Sequence, residues 1–337
     1  MEIRGRRKTG TFQQLTLCNS NEQDVVMALK EVKRVPLPHH LEGGEFDHAT
    51  VDEMADLLYV AHPSNDAVDV IDLSAEKFLY SITGHKGVAG VWVSAKRRLL
   101  FTSNRGEDTA SIFHLDGKKA TEKFRVPTGV RPNGMAFDEG RNILMVAGVG
   151  NTEKSNAPPS LTFIDTSSGK VMGKIELPGR TRWALYNADT DSFYVNVADP
   201  PSIVSVRADN LSRVSRTFSI PARGPHGLEQ NKKNGTLYCA CDEGILIGLD
   251  LGTDAIEVLG PLSGPPDVIW LNRNLDRLYV AVGNPGVIDV FDTNTLQFVE
   301  KIQTSPDAHT LTVDHRRGNV HVFLPDVCLD LILADRT

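Results

Sequence analysis

The sequence has few cysteines for its length. It contains 4 among 337 residues, which is too few for the disulfide framework of a small secreted domain. Cys239 and Cys241 stand two apart in a predicted strand, where an extended backbone separates them along one face. We therefore expect small, buried strand residues rather than a disulfide bridge, with a metal or redox pair as the alternative.

Long apolar runs and long runs of basic residues are also missing. No stretch approaches the roughly 18 apolar residues of a membrane span, and the basic start Met1–Lys8 is followed by polar residues instead of an apolar signal-peptide core. We expect a soluble protein without a membrane partner, cytoplasmic, or periplasmic or secreted if a leader was removed. The formal net charge of -7, without a basic run, predicts no general affinity for nucleic acid.

The sequence does contain a repeat, and Gly224–Leu228 is its clearest copy. Each copy has a Gly/Pro approach, one polar residue, and a short apolar run that ends on Asp, Asn or Ser. By subtraction, these last residues recur every 41 to 49 positions, at Asp52, Ser94, Asp138, Asn187, Asn231, Asn272 and Asp314. Repeats of about 40–45 residues are typical of four-stranded propeller blades. The sequence therefore predicts an all-β fold, a seven-bladed β-propeller of four-stranded antiparallel blades.

The last repeat is one strand short. Three predicted strands cover the chain after His309, whereas a spare strand at residues 31–37 precedes the first blade. Pairing this N-terminal strand with the last blade would close the ring and cover two sheet edges. We therefore predict an N-terminal extension, residues 1–30, and a single propeller domain, residues 31–337.

Two further residue sets recur at fixed strand positions. Trp92 and Trp270 stand two residues before the end of their repeats, which predicts packing between blades. Acidic residues that follow the third strands are predicted turn acceptors, at Asp72, Asp165, Asp250 and Asp292.

The strand motifs resemble two propeller families. Leu58–Ala61 with Val68–Asp72, and Leu278–Ala281 with Ile288–Asp292, are similar to the YVTN repeat of YncE-like propellers, and that likeness implies the fold of a functionally mixed family. The starts of the innermost strands resemble SMP-30/gluconolactonase-like propellers, whose Glu, Asn and Asp residues there bind a metal. The matching positions in this chain are Asp47, Ala89, Asn133, Arg182, His226, Asp267 and His309.

In a propeller these positions would surround the axial channel at one face. The four neighbouring blades five, six, seven and one would bring His226, Asp267, His309 and Asp47 together. Imidazole and carboxylate groups can bind a divalent metal such as Zn, Mn, Fe or Ca, which could activate water or polarise a carbonyl. In the alternative interpretation, each residue only satisfies backbone groups at a turn. No nucleotide or organic cofactor is indicated.

The predicted substrate contacts flank this metal set. Arg182 could hold a substrate carboxylate through its planar fork, and we expect Asn133, Trp183 and His48 to bind substrate beside it. Arg182 and Asp47 are the predicted catalytic residues. One hypothesis is a metal-dependent enzyme for a small molecule, either a lactonase- or esterase-like hydrolase or a lyase. The other is a non-catalytic propeller that binds a ligand or a protein.

Overall fold

The computed structural model describes residues 29–41, 43–150 and 156–335. In this part of the chain, the secondary structure consists of 28 β-strands in seven four-stranded antiparallel sheets, together with the 3-10 turn Pro63–Asn65. The predicted seven-bladed propeller is thereby confirmed. The predicted extension, residues 1–30, lies almost wholly outside the described residues, as does Cys18.

Each blade begins with its innermost strand and runs outward. The innermost strands are β2 (Ala49–Asp52), β6 (Val88–Ser94), β10 (Pro132–Asp138), β14 (Thr181–Asn187), β18 (Pro225–Asn231), β22 (Ile269–Asn272) and β26 (Thr310–Asp314). The second strands are β3 (Leu57–His62), β7 (Leu99–Asn104), β11 (Ile143–Gly148), β15 (Ser192–Val197), β19 (Thr236–Cys241), β23 (Arg277–Val282) and β27 (Asn319–Leu324). First strands of neighbouring blades contact one another around the ring.

The outer half of each blade completes the sheet. The third strands are β4 (Ala67–Asp72), β8 (Thr109–Asp116), β12 (Ser160–Asp165), β16 (Ser202–Arg207), β20 (Ile245–Asp250), β24 (Val287–Asp292) and β28 (Leu329–Asp335). The outer strands are β5 (Lys77–Thr83), β9 (Lys119–Pro127), β13 (Lys170–Glu176), β17 (Arg216–Ser219), β21 (Ile256–Pro261), β25 (Phe298–Gln303) and, for blade seven, β1 (Leu29–Pro36).

The N-terminal strand closes the ring as predicted. Strand β1 pairs antiparallel with β28, with Leu29 opposite Asp335 and Pro36 opposite Leu329. Val35 is buried in the seam between the last and first blades. The pairing removes an exposed edge from blade seven and joins the two ends of the described chain.

The burial of each strand depends on its position in the blade. Every residue of β3 is buried, whereas most of β9 is exposed or half-buried. Inner strands carry continuous apolar runs because blades pack on both of their faces, and each buried Leu or Val contributes about 1.5–3 kcal/mol. Cys239 and Cys241 belong to this core as free, buried thiols, which confirms the interpretation as small strand residues.

The polar residue at the end of each repeat fixes the next turn. Asp52 accepts the backbone N–H of Met54 at 3.0 Å, and Asp138 accepts that of Gly140 at 2.8 Å. The predicted acceptors after the third strands do the same, as Asp72 shows with the N–H of Ser74 at 3.0 Å. Such side chains replace backbone partners at a tight turn.

No helix in the described ranges has the length and apolar character that crossing a membrane requires.

Candidate functional site at the axial mouth

The starts of the innermost strands surround a cavity of about 310 Å³ at one end of the propeller axis, here called the axial mouth. Six of the seven positions predicted from the repeat line it, namely Asp47, Asn133, Arg182, His226, Asp267 and His309. The seventh position is Ala89, and blade two contributes Arg105 from the loop after β7 instead. Residues far apart in sequence thus meet without any long loop.

Glycines next to these positions let the strands approach closely. A Cβ atom on Gly134 would lie 2.4 Å from the carbonyl oxygen of Arg182, and one on Gly227 would lie 2.6 Å from that of Asp267. Real Cβ atoms do not approach backbone that closely, because atomic overlap forces strain. The Asn-Gly and His-Gly pairs therefore bring the polar side chains of neighbouring blades within contact range.

His226 lies at the centre of the mouth between two carboxylates. Its Nδ1 is 2.7 Å from Asp242 Oδ1, and its Nε2 is 3.1 Å from Asp267 Oδ1. Arg182 contacts the same group, with Nη1 3.0 Å from His226 Nε2 and Nη2 3.3 Å from Asp242 Oδ2. The imidazole, the guanidinium and the two carboxylates form one connected network.

The network favours the protonated form of His226. Burial alone would lower the pKa of the imidazole, but Asp267 and Asp242 outweigh it and raise the pKa to about 9. Burial likewise opposes ionisation of Asp267 and Asp242, yet His226 lowers the pKa of both carboxyl groups. The charged imidazolium donates from both nitrogens to the two carboxylates. The neutral imidazole keeps its Nδ1–H on Asp242 and accepts from Arg182 at Nε2, so His226 has a partner in either state.

Cations crowd the sector of the mouth next to His226. Burial and the neighbouring guanidinium groups of Arg182, Arg131 and Arg105 lower the pKa of Arg180. Arg105 is neutralised by Asp47, with Nη2 3.2 Å from Oδ2. Arg180 has no carboxylate partner among the described side chains. This sector can accept an anion, because a carboxylate would relieve the repulsion between the guanidinium groups.

Three polar atoms of the mouth have no hydrogen-bond partner among the described residues. They are Asn133 Oδ1, Arg105 Nε and Arg182 Nε, and all three are buried. Buried polar atoms are seldom left unpaired in folded proteins, and an exception marks a place for water, an ion or a ligand. The mouth therefore offers one acceptor and two donors.

His309 and Glu45 form the blade-seven side. Their Nε2 and Oε2 atoms lie 3.8 Å apart. Burial raises the pKa of Glu45, and the pKa of His309 is raised because the carboxylates of Asp267, Asp47 and Glu45 outweigh its own burial. Glu45 is a mouth residue that the repeat did not identify.

The predicted metal ligands share the mouth, but Asp47 is paired with Arg105, and His226 and Asp267 are paired with each other. Within the described ranges, no group of three or more His, Cys, Asp or Glu side chains is arranged to hold a metal ion. A metal at His226 would have to displace a proton whose pKa is about 9. The neighbouring Arg182 would also oppose a cation. This donor set fits a divalent metal poorly, and the predicted metal site stays a prediction.

Two predicted substrate contacts lie deeper than expected. His48 and Trp183 meet across the channel, with ring centroids 4.1 Å apart, and neither lines the mouth. Trp92 and Trp270 also differ from the prediction of packing only between blades, because their rings stack across the channel at 6.1 Å. Strand alternation could not place Trp183, since it lies at the register shift between Thr181 and Ala184 in β14, which changes which side chains face the axis.

A comparison with protein families matches residues 68–171 to the family described as Lactonase, 7-bladed beta-propeller. The matched segment runs from β4 in blade one through blade two to the start of β13 in blade three. It agrees with the seven blades of the structure. No match was found among curated proteins. The resemblances to the YncE-like and SMP-30-like families stay predictions.

Proposed function

We propose that the axial mouth binds a small lactone or ester that carries a carboxylate and hydrolyses it. The observation that supports this most is the network around His226, which places a proton donor beside the cationic sector. The partial match to a lactonase family supports the same class of reaction.

Each group would have a separate role. Arg180 and Arg182 would bind the substrate carboxylate through charge-assisted hydrogen bonds. A water molecule would attack the ester carbonyl and give its proton to Asp47, and the acyl carbon–oxygen bond would break. The His226 imidazolium would then protonate the leaving alkoxide, so that one water is consumed and a lactone gives a hydroxy acid, whereas an ester gives an acid and an alcohol. Positioned proton transfer of this kind typically contributes 10²–10⁴-fold to a rate.

The metal site predicted from the sequence is not part of this proposal, because the donor set fits a divalent metal poorly. Bound by the two histidines, Asp267 and Asp47, such a metal would supply a polarised water or carbonyl. The hydrolytic mechanism above does not need a metal, because the imidazolium and the guanidinium groups carry the required positive charge.

The closed network around His226 also favours the non-catalytic alternative. Both imidazole nitrogens and both terminal nitrogens of Arg182 have partners inside the protein, which is the arrangement expected of a rigid anion-binding site. Under that alternative, hydroxy acids with a second carboxylate would bind at the mouth, and lactones would not be hydrolysed.

The test measures the hydrolysis of a panel of γ- and δ-lactones, with and without a ring carboxylate. Hydrolysis is monitored by the release of protons. We expect the carboxylated lactones to be hydrolysed, and H226Q to lower kcat by about 10²–10⁴-fold. The exposed His39 provides the matched control, and H39Q should leave kcat unchanged. Binding of the hydroxy acids without any hydrolysis would favour the non-catalytic alternative, and equal rates for H226Q and wild type would refute the role of His226.

A further inference from the structure

A second cavity opens at the other end of the axis, where the innermost strands end. It has two lobes of about 740 Å³ and about 640 Å³, and Trp92, Trp270 and Arg273 line both. We call the two lobes together the axial funnel. Clefts of roughly 300–1,000 Å³ are the size that binds small organic molecules.

The axial funnel is separate from the axial mouth. The tilted rings of His48 and Trp183 lie in the channel between the funnel and the mouth, and the space left beside these rings is only about 10 Å³. That volume holds about one water molecule. Within the described residues, the funnel and the mouth share no lining side chain. A ligand in the funnel would therefore not reach His226.

The floor of the funnel is aromatic. The indoles of Trp92 and Trp270 come from blades two and six, and their ring planes lie within 7° of parallel with centroids 6.1 Å apart. Both side chains remain partly exposed. The Trp270 Nε1–H is buried without an acceptor among the described residues. Two parallel indole rings with a free donor can stack a flat ligand and bind one of its polar atoms.

Positive charge without an ion-pair partner lies beside this floor. Arg273 is exposed and forms no ion pair with any described carboxylate, and the same is true of Lys232. The carboxylates of Asp138 and Asp191 are already bound to Arg141, at 2.9 Å and 2.7 Å.

Two other carboxyl groups of the funnel are also engaged. Glu139 accepts the hydroxyl of Ser94 at 2.5 Å, and Glu229 accepts the backbone N–H of Gln230 at 2.7 Å. Arg273 borders both lobes and follows Trp270 by three residues, so it is the cation best placed to bind an acidic group on a stacked ring.

We propose that the axial funnel is a second binding site, for a planar aromatic carboxylate. The ring stacks on Trp92 and Trp270, and the carboxylate binds the Arg273 guanidinium. This site does not rest on the hydrolytic function proposed for the mouth.

The chain offers a direct readout, because all 3 of its tryptophans, Trp92, Trp183 and Trp270, line the funnel. We would titrate 4-nitrobenzoate, a planar carboxylate that quenches indole fluorescence, and check its affinity by calorimetry. The matched probes are 4-nitrobenzamide, which lacks the charge, and cyclohexanecarboxylate, which lacks the flat ring. We expect saturable quenching by 4-nitrobenzoate, with at least tenfold weaker binding of both other probes.

Three variants test whether the ligand binds in the axial funnel. R273Q should weaken 4-nitrobenzoate by about tenfold, as expected for one charge-assisted hydrogen bond, and should leave 4-nitrobenzamide unchanged. R34Q removes a distant exposed guanidinium and should have no effect, and neither should R182Q at the mouth. Thermal melting confirms that each variant folds. No saturable binding, equal affinity for the amide and the acid, or sensitivity to R182Q instead of R273Q would each overturn the proposal.

Discussion

Replacing His226 by Gln should remove a pH-dependent part of the stability of the folded protein. The pKa of this imidazole is raised from its ordinary value of 6.5 to about 9, because Asp267 and Asp242 outweigh its burial. A pKa that is higher in the folded state stabilises that state fully below pH 6.5, and this stabilisation is lost as the pH rises through 9. Each pKa unit corresponds to about 1.36 kcal/mol, so the whole effect is on the order of 3 kcal/mol.

The assay is urea unfolding at pH 6, 7.5 and 9.5 at constant ionic strength. Between pH 6 and pH 9.5 the free energy of unfolding should fall by up to about 3 kcal/mol more for wild type than for H226Q. H39Q changes an exposed histidine and should follow wild type. Groups that titrate elsewhere affect all three proteins alike, so the difference isolates His226. Parallel curves for wild type and H226Q would refute the ion-paired imidazolium.

Three further predictions concern the ring and the metal. V35A should lower the free energy of unfolding by about 2 kcal/mol, because Val35 is buried in the seam between blades seven and one. V32A on the same strand should change it by less than about 0.5 kcal/mol, because Val32 is exposed. Equal effects of the two variants in urea unfolding would contradict the closure of the ring. G134A should cost about 1–3 kcal/mol because its Cβ would overlap a neighbouring carbonyl, and G43A, which has open space, should cost little; a neutral G134A in thermal melting would show that the strands can separate. Elemental analysis of protein purified without a metal-affinity tag should find less than one divalent metal per chain, and a stoichiometric metal lost in the His226 and His309 double Ala variant would contradict the poor fit.

The repeat in the sequence predicted the fold and the position of the mouth. The spacing of residues such as Asp138 and Asn187 reflects one turn per blade, so counting these residues counts the blades. The residues five positions before each turn reach the axis because every innermost strand starts at the same face. His226 and Asp267 could therefore be placed together from sequence alone.

The pairing of those side chains could not be predicted from the repeat. Asp242 binds His226 from the loop after β19, and Arg180 lies in the connection before β14, outside the repeated strand positions. The charge of His226 depends on these loop neighbours, so an imidazole expected to bind a metal is held instead by two carboxylates. The aromatic funnel was missed because the repeat gives the strand positions of Trp92 and Trp270 but does not show that their rings meet across the axis.

The most direct test of the proposed function is the specificity ratio of wild type and R180Q for two δ-lactones, one with a ring carboxylate and one with the corresponding methyl ester. Arg180 has no carboxylate partner among the described residues, so its removal leaves none of the described carboxylates unpaired. Wild type should prefer the carboxylate in kcat/KM, and R180Q should lose about tenfold of that preference, while R216Q on the outer surface should keep it. A preference that R180Q leaves unchanged, or no hydrolysis of either lactone, would contradict the assignment of the mouth as the hydrolytic site.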